Sequence, residues 1–306
     1  MTPPLIFDRA LLRVRRSRAR RLGAETFLIE RVAEDLADRL AAVVRRFDLA
    51  ADLGTPTGAV RAALARNGSI AAMVAVAPAI DAVREPCGGP ATARVLRVVA
   101  DEEALPFAAG TLDLTVSALA LQAVNDMPGV LVQVRRALKP DGLFLAALLG
   151  GDTLTELRQS LAAADSECEG GASPRVAPFA DLREVAALLQ RAGFALPVAD
   201  VDRLVVRYPS PLALVHDLRR MGATNPLVER RRTPLRRATL MRAMEIYAAR
   251  FADGDGKVRA TFDVVWLSGW APHESQQQPL RPGTAKTRLA DALGTVEIGT
   301  GEKPER

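Results

Sequence analysis

Apolar residues near the start of the chain fall at helical spacing. Leu28, Val32, Leu36 and Leu40 recur every four residues with Ile29 and Ala33 beside them, while Glu30, Glu34, Asp35 and Asp38 take other faces. This predicts an amphipathic helix. From Phe47 the pattern changes to short apolar runs at 47–53, 70–76, 94–100, 112–121 and 143–149. Helical segments are expected at 58–66 and 127–138, the second stopping at the turn Lys139-Pro140-Asp141-Gly142. Such alternation predicts βαβ units and a parallel sheet buried on both faces.

The second half reads as more helical, with helices at 153–164, 181–191, 212–221 and 235–251, and Gly193 as a C′ glycine. Strands are expected at 201–208 and 258–267. Too many residues separate these two for a hairpin, so they are expected as antiparallel neighbours with helices inserted between. Asp253-Gly254-Asp255-Gly256 is a tight turn into the last strand, not a calcium loop, because the twelfth position is Val264 rather than Glu. The fold class is therefore α/β: a Rossmann-like, doubly wound, mostly parallel sheet with an N-terminal helix and helical insertions in its C-terminal half. The expected organisation is an Arg-rich helical segment at 1–46, a cofactor half at 47–150, the remainder of the same fold at 151–294 and a disordered tail at 295–306.

Composition narrows the class. A hydrophobic content of 49% and a mean hydropathy of +0.07 exclude wholesale disorder. The net charge of +5 is carried by arginine, since Lys occurs only at 139, 257, 286 and 303. Cys87 and Cys168 form no disulfide framework, and His216 and His273 are too few for a His-rich zinc site, so no metal is expected. No apolar run approaches the roughly 18 residues of a spanning helix. The expected location is the bacterial cytoplasm, peripheral to the inner membrane, rather than a mitochondrial matrix. Arginines 9, 13, 15, 16, 18, 20 and 21 form a cluster that reads either as a patch for an anionic membrane or acidic partner, or as a solvated helix face. No aromatic residue interleaves with them, which argues against nucleic acid.

The segment with chemical content is Asp52-Leu53-Gly54-Thr55-Pro56-Thr57-Gly58, at a strand end and opening a helix. Nucleotide-type cofactors bind beside such glycine turns, at the carboxyl ends of parallel strands, where helix amides face the ligand. The structural alternative for Asp52, and for Asp101 further on, is a cap of the adjacent turn.

Asp52 to Gly58, the run Ala100-Asp101-Glu102-Glu103-Ala104-Leu105-Pro106-Phe107, Leu112-Asp113-Leu114 and Leu138 to Gly142 resemble the ordered motifs of class I S-adenosylmethionine-dependent methyltransferases. Val124-Asn125-Asp126, Gly150-Gly151-Asp152-Thr153-Leu154, Glu169-Gly170-Gly171, Met221-Gly222 and Gly269 to Gln276 resemble, more narrowly, the complex I assembly factor 5 family. The resemblance runs from Phe7 to about Gly294. It implies a methyltransferase fold, S-adenosylmethionine as cofactor and a respiratory complex I subunit as protein client, on which the mitochondrial member hydroxylates an arginine. It also implies that Asp52, Gly54 and Gly58 cradle the methionine portion and that Asp101 and Glu102 bracket the adenine. Gln122, Asn125, Asp152 and Arg158 are the substrate-side candidates.

Three positions depart from the family pattern. Pro56 replaces the central glycine, adding a ring and removing an N–H. No acid ends the second strand, where a ribose partner belongs; the position falls near Ala75, and Asp81 is expected to point elsewhere. Gln122 and Ala123 replace a His-Trp pair. These losses predict weakened cofactor binding and leave two functions open: an active transferase, or a cofactor-free assembly protein. A nicotinamide dehydrogenase is disfavoured by the absence of G-x-G-x-x-G. His273-Glu274-Ser275 cannot form a triad on one strand; Trp266 and Trp270 are expected on one face, in the core.

Overall fold

The computed structural model describes residues 5–66, 68–84, 94–277 and 289–296. Two helices come first, α1 (Arg9–Arg21) and α2 (Phe27–Ala41). Then follow β1 (Phe47–Leu53), α3 (Ala59–Leu64), β2 (Ile70–Ala77), α4 (Ile80–Val83), β3 (Arg94–Val99), β4 (Leu112–Ala118), α5 (Met127–Ala137) and β5 (Leu138–Leu149). The remainder is α6 (Thr155–Cys168), α7 (Leu182–Arg191), β6 (Ala195–Tyr208), α8 (Pro211–Arg220), α9 (Arg237–Phe251), β7 (Val258–Trp270) and α10 (Leu289–Leu293). One seven-stranded sheet has the order β3-β2-β1-β4-β5-β7-β6. β1 to β5 are parallel, and β7 runs antiparallel to both β5 and β6.

The central strands β1, β4, β5 and β7 are buried on both faces, their side chains alternating between two cores, whereas the edge strands β3 and β6 are largely exposed. Leu143, Leu145 and Ala147 of β5, with Phe262, Val264 and Trp266 of β7, face α2, α6, α8 and α9. Phe144, Ala146 and Leu148, with Val265 and Leu267, face α5 and α7. Trp266 is fully buried and donates from Nε1 to Asp202 at 2.8 Å, while Trp270 packs against the same core. Gly193 takes φ +82 after α7, as a C′ glycine should.

The expected elements form, with shifted ends. The run 112–121 ends as a strand at Ala118 because Leu119 turns at φ +50, and Leu121–Ala123 is a single 3₁₀ turn. β5 begins at Leu138, because Leu138 already pairs with Leu112, and runs through Lys139–Gly142, expected as a turn, with an irregularity of register between Leu112 and Leu114. β6 begins at Ala195 rather than 201, and β7 continues to Trp270. The helix expected from 153 starts at Thr155, after Leu154 at φ +55.

Two compact units divide at Pro272, Met1–Pro272 and His273–Arg306. In the second, His273 is exposed, with Nδ1 2.7 Å from Ser275 Oγ. Cys87, and the expected tail beyond residue 296, lie outside the described residues. No helix among the described residues is long and apolar enough to cross a membrane.

α2 belongs to the main core: Leu36 is 0% exposed, whereas Val44 just past the helix is 98% exposed. Leu36→Ala is expected to cost about 2–5 kcal/mol by chemical denaturation, and Val44→Ala under about 0.5 kcal/mol. Equal effects would mean that α2 is an appendage.

Candidate functional site

The carboxyl ends of β1 and β4 meet under α1, and the turn after β1 lies at their junction. Gly54 takes φ +68, which only glycine adopts freely. A Cβ there would lie 2.7 Å from Glu102 Cγ, so the Glu102 side chain packs directly over the turn. Gly58 is the N-cap of α3 at an ordinary φ of −77°. Asp52 is buried: it accepts from Thr55 Oγ1, and Arg61 of α3 pairs with it at 3.0 Å. Burial pushes the Asp52 carboxyl above its ordinary range, and Arg61 opposes that rise.

Arg9 closes the edge of the site. It pairs with Asp101 at 2.7 Å, with Glu103 at 3.0 Å, and with Glu102, whose side chain is only 3% exposed. Arg13 adds a longer contact to Asp101 at 3.5 Å. Arg20 pairs with Asp81 at 2.7 Å and donates to the Pro56 carbonyl at 3.4 Å. Arg16 donates to the Leu119 carbonyl at 3.4 Å and has no carboxylate within pairing distance among the described residues. Burial, together with Arg9 and Arg20, pushes the Arg16 guanidinium down, with Glu102 opposing. Gly222, at φ +69 beyond α8, sets how closely α1 lies, since a Cβ there would be 2.9 Å from Arg16 Cα.

The basic cluster is thus neither a single free patch nor a solvated face. Arg9, Arg13, Arg16 and Arg20 turn inward across the sheet edge, while Arg18 and Arg21 are exposed. Asp81, expected to point elsewhere, instead holds Arg20 at the mouth of the site. β2 ends at Ala77, two residues past Ala75, and Ala75, Val76 and Ala77 are all buried and apolar.

The other candidates separate. Gln122 lies in the site, donating from Nε2 to Leu119 O at 2.9 Å, with its buried Oε1 unpartnered. Asn125 ties down the N-terminal segment instead, accepting from the Ile6 and Phe7 amides at 2.9 and 2.8 Å. Asp152, its side chain 62% exposed, pairs with Arg203 of β6. Arg158 donates to the carbonyls of Gly151 and Thr153. Neither of these two lines the cavity beside the site. That cavity, about 650 Å³, has Pro56, Thr57, Leu119 and Gln122 in its wall and runs under α1 toward α6, α8 and α9.

A glycine turn after β1, acids after β3, and a sheet with an antiparallel β7 inserted beside β5 define a methyltransferase domain of Rossmann-like build. A family model described as "Methyltransferase domain" matches residues 51–146. The BH2331 protein of Bacillus halodurans C-125 has the same fold at TM-score 0.54 and 14% identity, covering 78% of this chain and 99% of its own. The YcgJ protein of a Bacillus species aligns at TM-score 0.52 and 13% identity over 78% and 99% of the two chains. The protein named "Arginine-hydroxylase NDUFAF5, mitochondrial" of Homo sapiens is 39% identical over 95% of this chain and 84% of its own. Its Danio rerio counterpart is 36% identical over 94% and 89%. The chain belongs to the NDUFAF5 family. The malonyl-[acyl-carrier protein] O-methyltransferase of Laribacter hongkongensis is similar over a shorter reach, 39% identical over 61% of this chain and 60% of its own.

Sequence reasoning missed Arg9, Arg16, Arg20, Arg61 and Glu103. The signal for the α1 residues was present: positions 9, 13, 16 and 20 are spaced by four, three and four, one helical stripe. Arg61, the ninth residue after Asp52, carried no such signal.

Arg61→Ala leaves the Asp52 carboxylate buried without its cation, and a loss of about 3–5 kcal/mol is expected at neutral pH. The folded Asp52 pKa then lies further above its unfolded value, so the folded state holds the extra proton. The penalty is smallest below the unfolded pKa and grows as pH rises through the folded one. A melting deficit that is flat with pH would contradict this role.

Proposed function

We propose that this chain binds S-adenosylmethionine at the turn after β1 and acts on a protein client, a subunit of respiratory complex I. The family relationship supports the reading, and one observation carries it. At the Pro56–Thr57 end of the turn, one cavity gathers Arg16, which has no carboxylate partner among the described residues, the Leu119 carbonyl and the orphaned Gln122 Oε1. A guanidinium without a carboxylate next to a buried amide oxygen without a donor, Gln122 Oε1, is the complement of an amino acid's carboxylate and ammonium. The residues present fit that end of the cofactor. Asp101 and Glu102 would hold the nucleoside end, provided Arg9 gives them up.

When bound, the cofactor supplies an electrophilic methyl group on a sulfonium. The chain's own part is positional. Gly54 leaves the turn open to close approach, Arg16 anchors, and the α1 helix excludes water from above. Transfer needs an acceptor atom held in line, a matter of orientation more than of a strong base. The exposed Arg18 and Arg21 leave α1 two cations for an anionic surface, in keeping with a place at the cytoplasmic face of the inner membrane.

A second reading, an assembly protein that works without cofactor, is favoured by a specific closure: Arg9 spans the three acids, Arg61 satisfies Asp52, and no acid ends β2. Calorimetry and melting with S-adenosylhomocysteine separate the two. The expected outcome is saturable binding, about 2.7 kcal/mol of added stability at 100 times the dissociation constant, and at least tenfold tighter binding in Arg9→Gln and in Pro56→Gly. No response at millimolar ligand in any of the three proteins would leave the cofactor-free reading.

A further inference from the structure

The cavity next to the cofactor turn has an unusual division of chemistry. Its floor is aliphatic: Leu149, Leu154, Leu157 and Leu161 from the end of β5 and from α6, with Met244 of α9. Its walls carry eight arginines against one carboxylate, Glu25. Several of those arginines are engaged, Arg230 with Asp8 at 3.2 Å, Arg231 with Glu169 at 2.9 Å and Arg175 with Asp165 at 2.7 Å. Arg15 is different. Its guanidinium donates only to backbone carbonyls, those of Thr224 at 3.0 Å and of Asn225, and no carboxylate pairs with it among the described residues. Burial and the adjacent Arg230 both push Arg15 down, with Asp8 opposing more weakly, so this wall holds more positive charge than its own acids offset.

Protein interiors pack to crystal density, and an apolar space of about 650 Å³ is in the range that drug-sized ligands fill. Its walls select the occupant. Leucines and a methionine make up most of the floor and suit a flexible hydrocarbon, and Phe7, Phe179 and Phe262 add further apolar surface beside them. The cationic rim disfavours an ammonium or guanidinium and favours an anion.

We propose that this cavity binds an anionic amphiphile, a linear acyl chain ending in a carboxylate, with the chain against the α6 leucines and the carboxylate at Arg15. The site goes beyond the proposed function: it shares one cavity with Arg16 and Gln122 but uses Arg15 and the α6 leucines.

The test titrates the full chain with octanoate, decanoate and laurate below their micellar concentrations, by calorimetry. Affinity is expected to rise about fourfold per methylene, the factor that corresponds to about 0.8 kcal/mol. Decanoate is expected to bind at least tenfold more tightly than decyltrimethylammonium, which has the same chain and the opposite charge. Arg15→Gln is expected to lower that preference at least fivefold and Arg15→Lys to keep it; Leu161→Trp is expected to remove binding. No saturable binding, affinity independent of chain length, equal affinity for the two head groups, or an unchanged preference in Arg15→Gln would each overturn the proposal. S-adenosylhomocysteine titrated into the same samples separates the two ideas. Decanoate binding without it leaves this site standing and defeats the cofactor reading; the reverse defeats only this site.

Discussion

The arrangement of the site depends on one contact, the Arg9 guanidinium spread across Asp101, Glu102 and Glu103. Three carboxylates on consecutive residues at the end of a parallel sheet repel one another, and the nearly buried Glu102 needs a cation. α1 supplies it. The same helix then brings Arg16 to the Leu119 carbonyl and Arg20 to Asp81 and Pro56. The helix is keyed in place from its far side by Gly222 and from its start by the Asp8 amide, which donates to the Pro226 carbonyl at 2.7 Å. A segment that looks like an appendage is in this way the roof of the crevice, and its charge is mostly spent inside the protein.

This arrangement recasts the departures from the family pattern. Pro56 removes an N–H from the turn, yet its carbonyl is held by Arg20. The acid absent from the end of β2 has a neighbour in Asp81, which a short helix returns to the mouth of the site. Asp52, the first residue of the motif, is satisfied by Arg61 and Thr55 and so acts on the turn's shape. What remains unsatisfied, Arg16 and Gln122 Oε1, lies at the other end of the turn. The chemistry left for a ligand is therefore concentrated between α1 and the end of β4.

Much of the fold was legible because both cores depend on simple periods. The continuous apolar run from Leu143 to Leu149 marks a strand buried on both faces, and the four-residue spacing from Leu28 to Leu40 fixes the buried face of α2. Strand ends were less legible, because they are set by partners: Leu138 joins β5 through Leu112, and Ala195 joins β6 through Trp270. In the site, Asp52, Gly54 and Glu102 were readable from local motifs, whereas their occupants were not. Arg9 lies 93 residues from Glu102, and only the stripe at 9, 13, 16 and 20 hinted that α1 faced inward. Asn125 and Asp152 have structural partners far along the chain, Ile6 and Phe7 for the one and Arg203 for the other, and Arg158 binds local carbonyls, none of which neighbouring glycines and turns in the sequence revealed.

The central claim is that α1's arginines and a nucleoside compete for the acids after β3. A crystal structure of the chain with S-adenosylhomocysteine tests it most directly. The expected result is Arg9 withdrawn from Asp101 and Glu102, with Arg16 on the ligand's carboxylate. A ligand bound at full occupancy with the Arg9 contacts unchanged would contradict it.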